Sequence, residues 1–190
     1  NVMESLNIWK QAISSGIKKF TIIGSCFEYG ISGNNYKEIP TDAPLMPMGA
    51  YSSSKAAASI AALSLAVENK LDLTILRPFH IYGKGEDKSR FWPTLINSSK
   101  KGKDFYMTKG EQIRDFQNVE EAVQDILSYH LKSNPLGKPI IKNLGSGNTK
   151  SLLEFAKEEW ERLKSKGSIL NGKKPYRNNE IMRYVPKLDS

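Results

Sequence analysis

The sequence predicts an α/β fold: part of a doubly wound parallel sheet joined to a smaller mixed lobe. Three observations carry this. Apolar residues recur at helical spacing in residues 2–14, and a short continuous apolar run, Phe20-Thr21-Ile22-Ile23, follows at once. The same order repeats downstream, with a helix-forming stretch at 51–68 and a second apolar run at 71–76. Strands covered by helices on both faces read as continuous apolar runs, and strand–helix alternation builds parallel sheets.

Taken in order, Val2, Leu6, Trp9 and Ile13 place one apolar stripe on the first helix, and Gly16 is its stop signal. Gly24-Ser25 ends the first strand. Residues 30–49 hold Gly33-Asn34, Pro40, Pro44 and Pro47 and read as a loop. Residues 51–68 are rich in Ala and Ser and lack Gly and Pro, a strong helix former whose small side chains suit close packing. Leu71–Leu76 is the second strand and leaves through Arg77-Pro78-Phe79-His80-Ile81-Tyr82-Gly83. Helices are predicted over 91–99 and 119–131, the latter opened by Glu120 and Glu121 as the helix dipole prefers. A strand follows at 140–144. Ser151-Leu152-Leu153-Glu154 has the capping-box pattern and starts a helix reaching about Lys164.

Composition narrows the class. The 190 residues are 39% hydrophobic and 25% charged, ordinary globular usage. No apolar run approaches the roughly 20 residues a membrane helix needs. One cysteine, Cys26, excludes an internal disulfide and points to a reducing, cytoplasmic setting. The net charge of +8 comes from 22 lysines and six arginines, and the lysines are scattered. Nucleic-acid binding calls for a clustered basic stripe, so anionic phosphates are the better match.

In open α/β sheets chemistry sits beyond the carboxyl ends of the strands. That directs attention to Ser25, which follows the first strand, and to Pro78, Phe79 and His80, which follow the second. Tyr51 and Lys55 are four apart on a predicted helix and share a face. A phenol titrates near 10, too high for a base at neutrality, and a nearby ammonium lowers it. Tyrosine, lysine and serine together suit proton transfer to and from a carbinol oxygen. Eight tyrosines and 22 lysines in 190 residues give about one such spacing by chance. Its place, opening a helix after a proline-rich loop, is what singles it out.

Several segments, in the right order, resemble the extended short-chain dehydrogenase/reductase family, the NAD-dependent nucleotide-sugar epimerases, dehydratases and reductases. They are Gly24-Ser25-Cys26-Phe27-Glu28-Tyr29-Gly30, Pro44 through Lys55, Leu76 through Gly83, and Gln112-Ile113-Arg114-Asp115-Phe116-Gln117-Asn118. The resemblance implies a Rossmann-like sheet with a substrate-binding lobe, NAD or NADP as cofactor, and a nucleotide-diphosphate sugar as substrate. Residues 1–82 and 117–147 would belong to the cofactor domain, and 83–116 and 148–190 to the lobe. Ser25, Tyr51 and Lys55 match the family's catalytic triad, with Tyr51 as acid/base and Lys55 on the nicotinamide ribose. Pro78 and Phe79 match positions lining the nicotinamide. Ser25, Cys26, Phe27, His80, Arg114 and Arg177 match substrate positions, the two arginines as phosphate contacts. No metal is implied, and the whole protein is expected to be a homodimer paired through the helix that starts near Tyr51.

Departures from the family pattern refine these expectations. Dehydratases carry an Asp-Glu pair directly after the triad serine or threonine, and here Cys26 and Phe27 stand there. That favours an epimerase or 4-ketoreductase. The alternative is a non-catalytic member that binds NAD(P) or a partner. Cys26 has no nearby histidine and reads as an inert thiol. The glycine-rich turn that seats the pyrophosphate on a helix N-terminus is not found, so the first strand–helix units are expected to precede Asn1. A half sheet with an open edge is expected to be marginally stable and to bind NAD(P) weakly on its own.

Overall fold

The computed structural model describes residues 2–188. In chain order its elements are α1 (Val2–Ser14), β1 (Lys19–Ile23), short 3-10 helices at Cys26–Glu28 and Ile31–Asn35, α2 (Ala50–Glu68), β2 (Asp72–Pro78) and β3 (His80–Tyr82). Then come α3 (Phe91–Lys100), β4 (Phe105–Tyr106), β5 (Ile113–Asn118), α4 (Val119–Leu131), β6 (Ile140–Leu144), β7 (Thr149–Ser151), α5 (Leu152–Arg162), β8 (Ile169–Leu170) and β9 (Arg183–Tyr184).

The main sheet is parallel, in the order β1-β2-β6. Ile23 lies opposite Leu76, and Arg77 lies opposite Asn143. β2 is central and buried over six of its seven residues, which is why its run is continuously apolar around Thr74. Ala62 and Ala66 of α2 pack with Leu71, Leu73 and Ile75, and Trp9 and Ile13 of α1 close over them. Small side chains on α2 let the helix approach the sheet, as its composition predicts. Asn118 and Ser151 cap α4 and α5 with side-chain hydrogen bonds, the latter as a full capping box with Glu154.

A second, mixed sheet follows, in which β5 pairs with β3 and β9 in parallel and with β7 antiparallel. β4 and β8 form a small parallel pair beside it. The main sheet ends at Pro78 and the second sheet begins at His80, so the chain changes layer across Phe79. The residues 30–49 segment is more than a loop. It holds a 3-10 turn, and Tyr29, Ile39 and Ala43 are buried with Cys26, Phe79 and Tyr184 in one cluster. Gly30 is required there: its φ is 53°, and a Cβ would lie 1.8 Å from the Met46 carbonyl oxygen. Among the described residues no helix is long and apolar enough to cross a membrane.

Candidate active site

Ser25 is the N-cap of the 3-10 helix that follows β1, and this turn holds it at the carboxyl end of the strand. Its Oγ accepts from the Phe27 N–H (3.2 Å), and its own N–H donates to Glu28 Oε1 (2.8 Å). α2 starts with Ala50, so Tyr51 lies in its first turn and is 57% exposed. One turn on, Lys55 Nζ donates to the Ile23 carbonyl oxygen at 2.9 Å, two residues before Ser25. This bond ties the Tyr51–Lys55 face of α2 to the end of β1. Beside it is a cleft of ≈320 Å³ between Ile23, Gly24, Lys55 and Ser59 on one side and Ser5 and Trp9 on the other.

Pro78 ends β2 opposite Leu144. Phe79 is buried, its ring tilted against Tyr184 and Tyr29. Cys26 is 1% exposed, and burial pushes its thiol up to about 12, so it is neutral. Its side chain packs in one cluster with Tyr29, Ile39, Phe79 and Tyr184.

Phe27, His80 and Arg114 form a second group. The exposed Phe27 ring meets His80 edge-on at 6.3 Å and stacks on Tyr184 at the same distance. His80 also meets Phe116 at 6.1 Å. Burial, with the guanidinium charges of Arg114 and Arg90, holds His80 down at about 3, so it is a neutral imidazole at physiological pH. Its Nδ1 has no hydrogen-bond partner among the described residues.

Arg114 and Asp115 are neighbours in β5 but take different partners. Adjacent residues of a strand point to opposite faces. Arg114 Nη2 reaches Glu180 Oε1 (3.0 Å) and the Ile181 carbonyl (2.6 Å), while its Nη1 donates to the Ile113 carbonyl. Asp115, fully buried, instead accepts from the Ser146 and Gly147 backbone N–H groups and the Ser146 hydroxyl. Arg177 is exposed in the loop before β9, one turn from Glu180.

Four further residues belong to this region. Glu28 and Arg77 form a buried ion pair under Ser25. Glu180 holds Arg114. Arg90, paired with Glu86 at 3.4 Å, presents its charge toward His80 from the start of α3. Glu28 and Arg77 both lie in the motif segments quoted above. Glu180 and Arg90 carry no local pattern that marks them.

Comparison with known proteins agrees with this architecture. The sequence profile of the NAD dependent epimerase/dehydratase family matches residues 1–145. No curated protein matches significantly. Among solved structures, the UDP-N-acetylglucosamine 4-epimerase of Methanobrevibacter ruminantium, complexed with UDP-N-acetylmuramic acid, superposes with a TM-score of 0.85 at 20% identity, covering 99% of this chain and 60% of that one. The UDP-glucose 4-epimerase of Thermotoga maritima, with UDP-glucose, gives 0.83 at 21% identity, covering 98% and 60%. The dTDP-glucose 4,6-dehydratase of Bacillus anthracis, with NAD, gives 0.81 at 20% identity, covering 98% and 58%. The chain thus spans about three fifths of the length of these structures.

Proposed function

Because the chain belongs to the NAD-dependent epimerase/dehydratase family, we propose that it carries the catalytic and substrate-binding parts of an NAD(P)-dependent nucleotide-sugar epimerase or 4-ketoreductase. The observation that carries this reading is the Lys55–Ile23 bond, which brings the Tyr51–Lys55 pair alongside the Ser25 turn. The cleft between Gly24, Lys55 and Ser59 fits the nicotinamide–ribose end of the cofactor: it sets apolar Trp9, Ile22 and Ile23 beside the Ser54 and Ser59 hydroxyls and the Lys55 ammonium, at the carboxyl end of a parallel strand. When bound, the cofactor exchanges hydride with the carbinol carbon of the sugar.

The chain's own residues handle the proton. Tyr51 takes it from the sugar hydroxyl and returns it. The Ser25 hydroxyl holds the same oxygen. Lys55 stabilises the phenolate and donates to ribose hydroxyls. Pro78 and Phe79 back the nicotinamide. Phe27 and neutral His80 meet the sugar, and Arg114 with Arg177 grips the diphosphate. Dehydration is disfavoured: Cys26 is an un-ionised thiol, Phe27 has no proton to give, and the next carboxylate, Glu28, is occupied by Arg77. Exposed Ile60 and Val67, seven residues apart on α2, suit pairing with a second copy.

In the full-length protein, Tyr51→Phe should lower hydride transfer by about 10²- to 10⁴-fold while nucleotide-sugar affinity stays near the parent's. Undiminished turnover in this variant would contradict the assignment.

A further inference from the structure

The Ser25 turn is fastened to the sheet by a chain of buried polar contacts in one layer of the three parallel strands. Gly24 continues the β1 ladder, its N–H donating to the Leu76 carbonyl at 2.7 Å. The Ser25 N–H is taken by Glu28 Oε1, and Glu28 Oε2 is taken by Arg77 Nε at 3.0 Å. The side chains of Glu28 and Arg77 are 0% and 2% exposed. Arg77 Nη1 then donates to the Thr41 carbonyl in the loop after β1, and its guanidinium lies 4.7 Å from the centre of the Tyr29 ring. The Tyr29 hydroxyl donates to Asn143 Oδ1 at 2.7 Å, and Asn143, opposite Arg77 in β6, donates from Nδ2 to the Ile39 and Lys187 carbonyls. Space is matched to this arrangement: a Cβ on Gly24 would lie 2.4 Å from Glu28 Oε1.

This network connects the serine turn, all three main strands and the 30–49 segment through one carboxylate and one guanidinium. An apolar pair would pack these elements equally well, and a buried ion pair adds little net stability over such a replacement. What an apolar pair lacks is an acceptor for the Ser25 N–H and a donor fork for Thr41. We propose that Glu28 and Arg77 are positioning residues for the reaction, setting the height and orientation of the Ser25 hydroxyl relative to Tyr51. This rests on the reading of Ser25 and Tyr51 given above.

The test is the paired replacement Glu28→Val with Arg77→Met in the full-length protein, which leaves no unpaired charge buried. The KM for the nucleotide sugar should stay near the parent's, and reduced-cofactor affinity, read by fluorescence, should change less than about twofold. The thermal midpoint should fall only by what the two unmet backbone groups cost. In contrast, kcat should fall by about ten- to a hundredfold, the scale of a displaced reacting group. Amide hydrogen exchange at Ser25 should accelerate at least about tenfold, with the β2 core unchanged. Parental kcat with parental Ser25 exchange overturns the proposal, as does a kcat loss no larger than the KM and binding losses. Should the pair fail to fold, Arg77→Lys keeps the charge and loses the fork. It should show the same kcat-selective loss at smaller scale, and a parental kcat there also overturns the proposal. A parent that transfers no hydride to or from any nucleotide sugar removes the functional reading itself, whereas an active parent matched by its double variant removes only the positioning role.

Discussion

Two arginine–glutamate pairs, each 3.0 Å long, sit on either side of the site and differ in surroundings. Arg77–Glu28 is sealed, at 2% and 0% side-chain exposure, whereas Arg114–Glu180 is 11% and 20% exposed. Arg77 meets only groups of the fold itself: Glu28, the Thr41 carbonyl and the Tyr29 ring. Arg114 is anchored by two backbone carbonyls and one carboxylate, and its charge acts on His80. The same chemistry is sealed into the scaffold in one pair and left partly open to solvent in the other, which is what suits Arg114 to the phosphate grip proposed above. Solvent access, rather than the strength of the bond, separates the two roles.

The comparison can be broken at its strongest point first. Arg77→Ala leaves the Glu28 carboxylate buried without its partner, and should cost about 3–5 kcal/mol in urea unfolding. A loss below about 1 kcal/mol would mean that Glu28 reaches water. Arg114→Lys should separate the two pairs further. It keeps the charge and loses the fork, so nucleotide-diphosphate-sugar affinity should drop about tenfold while stability changes by about 1 kcal/mol or less. Equal damage to both properties would make Arg114 a second scaffold arginine.

A pH-dependent effect concerns His80, which feels the charge of Arg114. Its folded value is lowered from 6.5 to about 3, first by burial and then by Arg114 and Arg90. Only the unfolded chain takes up this proton between those values. The associated stability is therefore complete above pH 6.5 and is lost as pH falls toward 3. His80→Asn should flatten the dependence of unfolding free energy on pH in that window by up to about one proton, read by urea titrations at several pH values. An unchanged slope would mean that His80 protonates freely in the folded protein.

Local signals made the main sheet legible. Absence of Gly and Pro marks α2 from 51 to 68, against Ala50–Glu68 observed, and short apolar runs mark β1 and β2. The other strands were less legible because they are two to six residues long, and β5 and β7 are largely polar. Ile113-Arg114-Asp115-Phe116-Gln117-Asn118 shows no clear apolar alternation, yet it is the centre of the second sheet. The partners of its two charges are distant in sequence, Glu180 for Arg114 and the Ser146 turn for Asp115, so no local pattern reveals them. Glu28 and Arg77 are 49 residues apart and meet only because β1 and β2 are neighbours in register. Ser25 and Tyr51 could be proposed from sequence because a strand end and a helix start mark them, and Lys55 because it lies one helical turn after Tyr51. Their supporting residues could not, because burial is a property of the assembled fold.

The most direct test is to mix the full-length protein, carrying oxidised cofactor, with UDP- and dTDP-linked hexoses and record the absorbance of reduced nicotinamide in a single turnover. The account predicts transient or stoichiometric reduction with at least one of these sugars, and its loss in Tyr51→Phe with sugar binding retained. Tight sugar binding with no reduction in the parent would contradict it and leave a binding protein on the same fold.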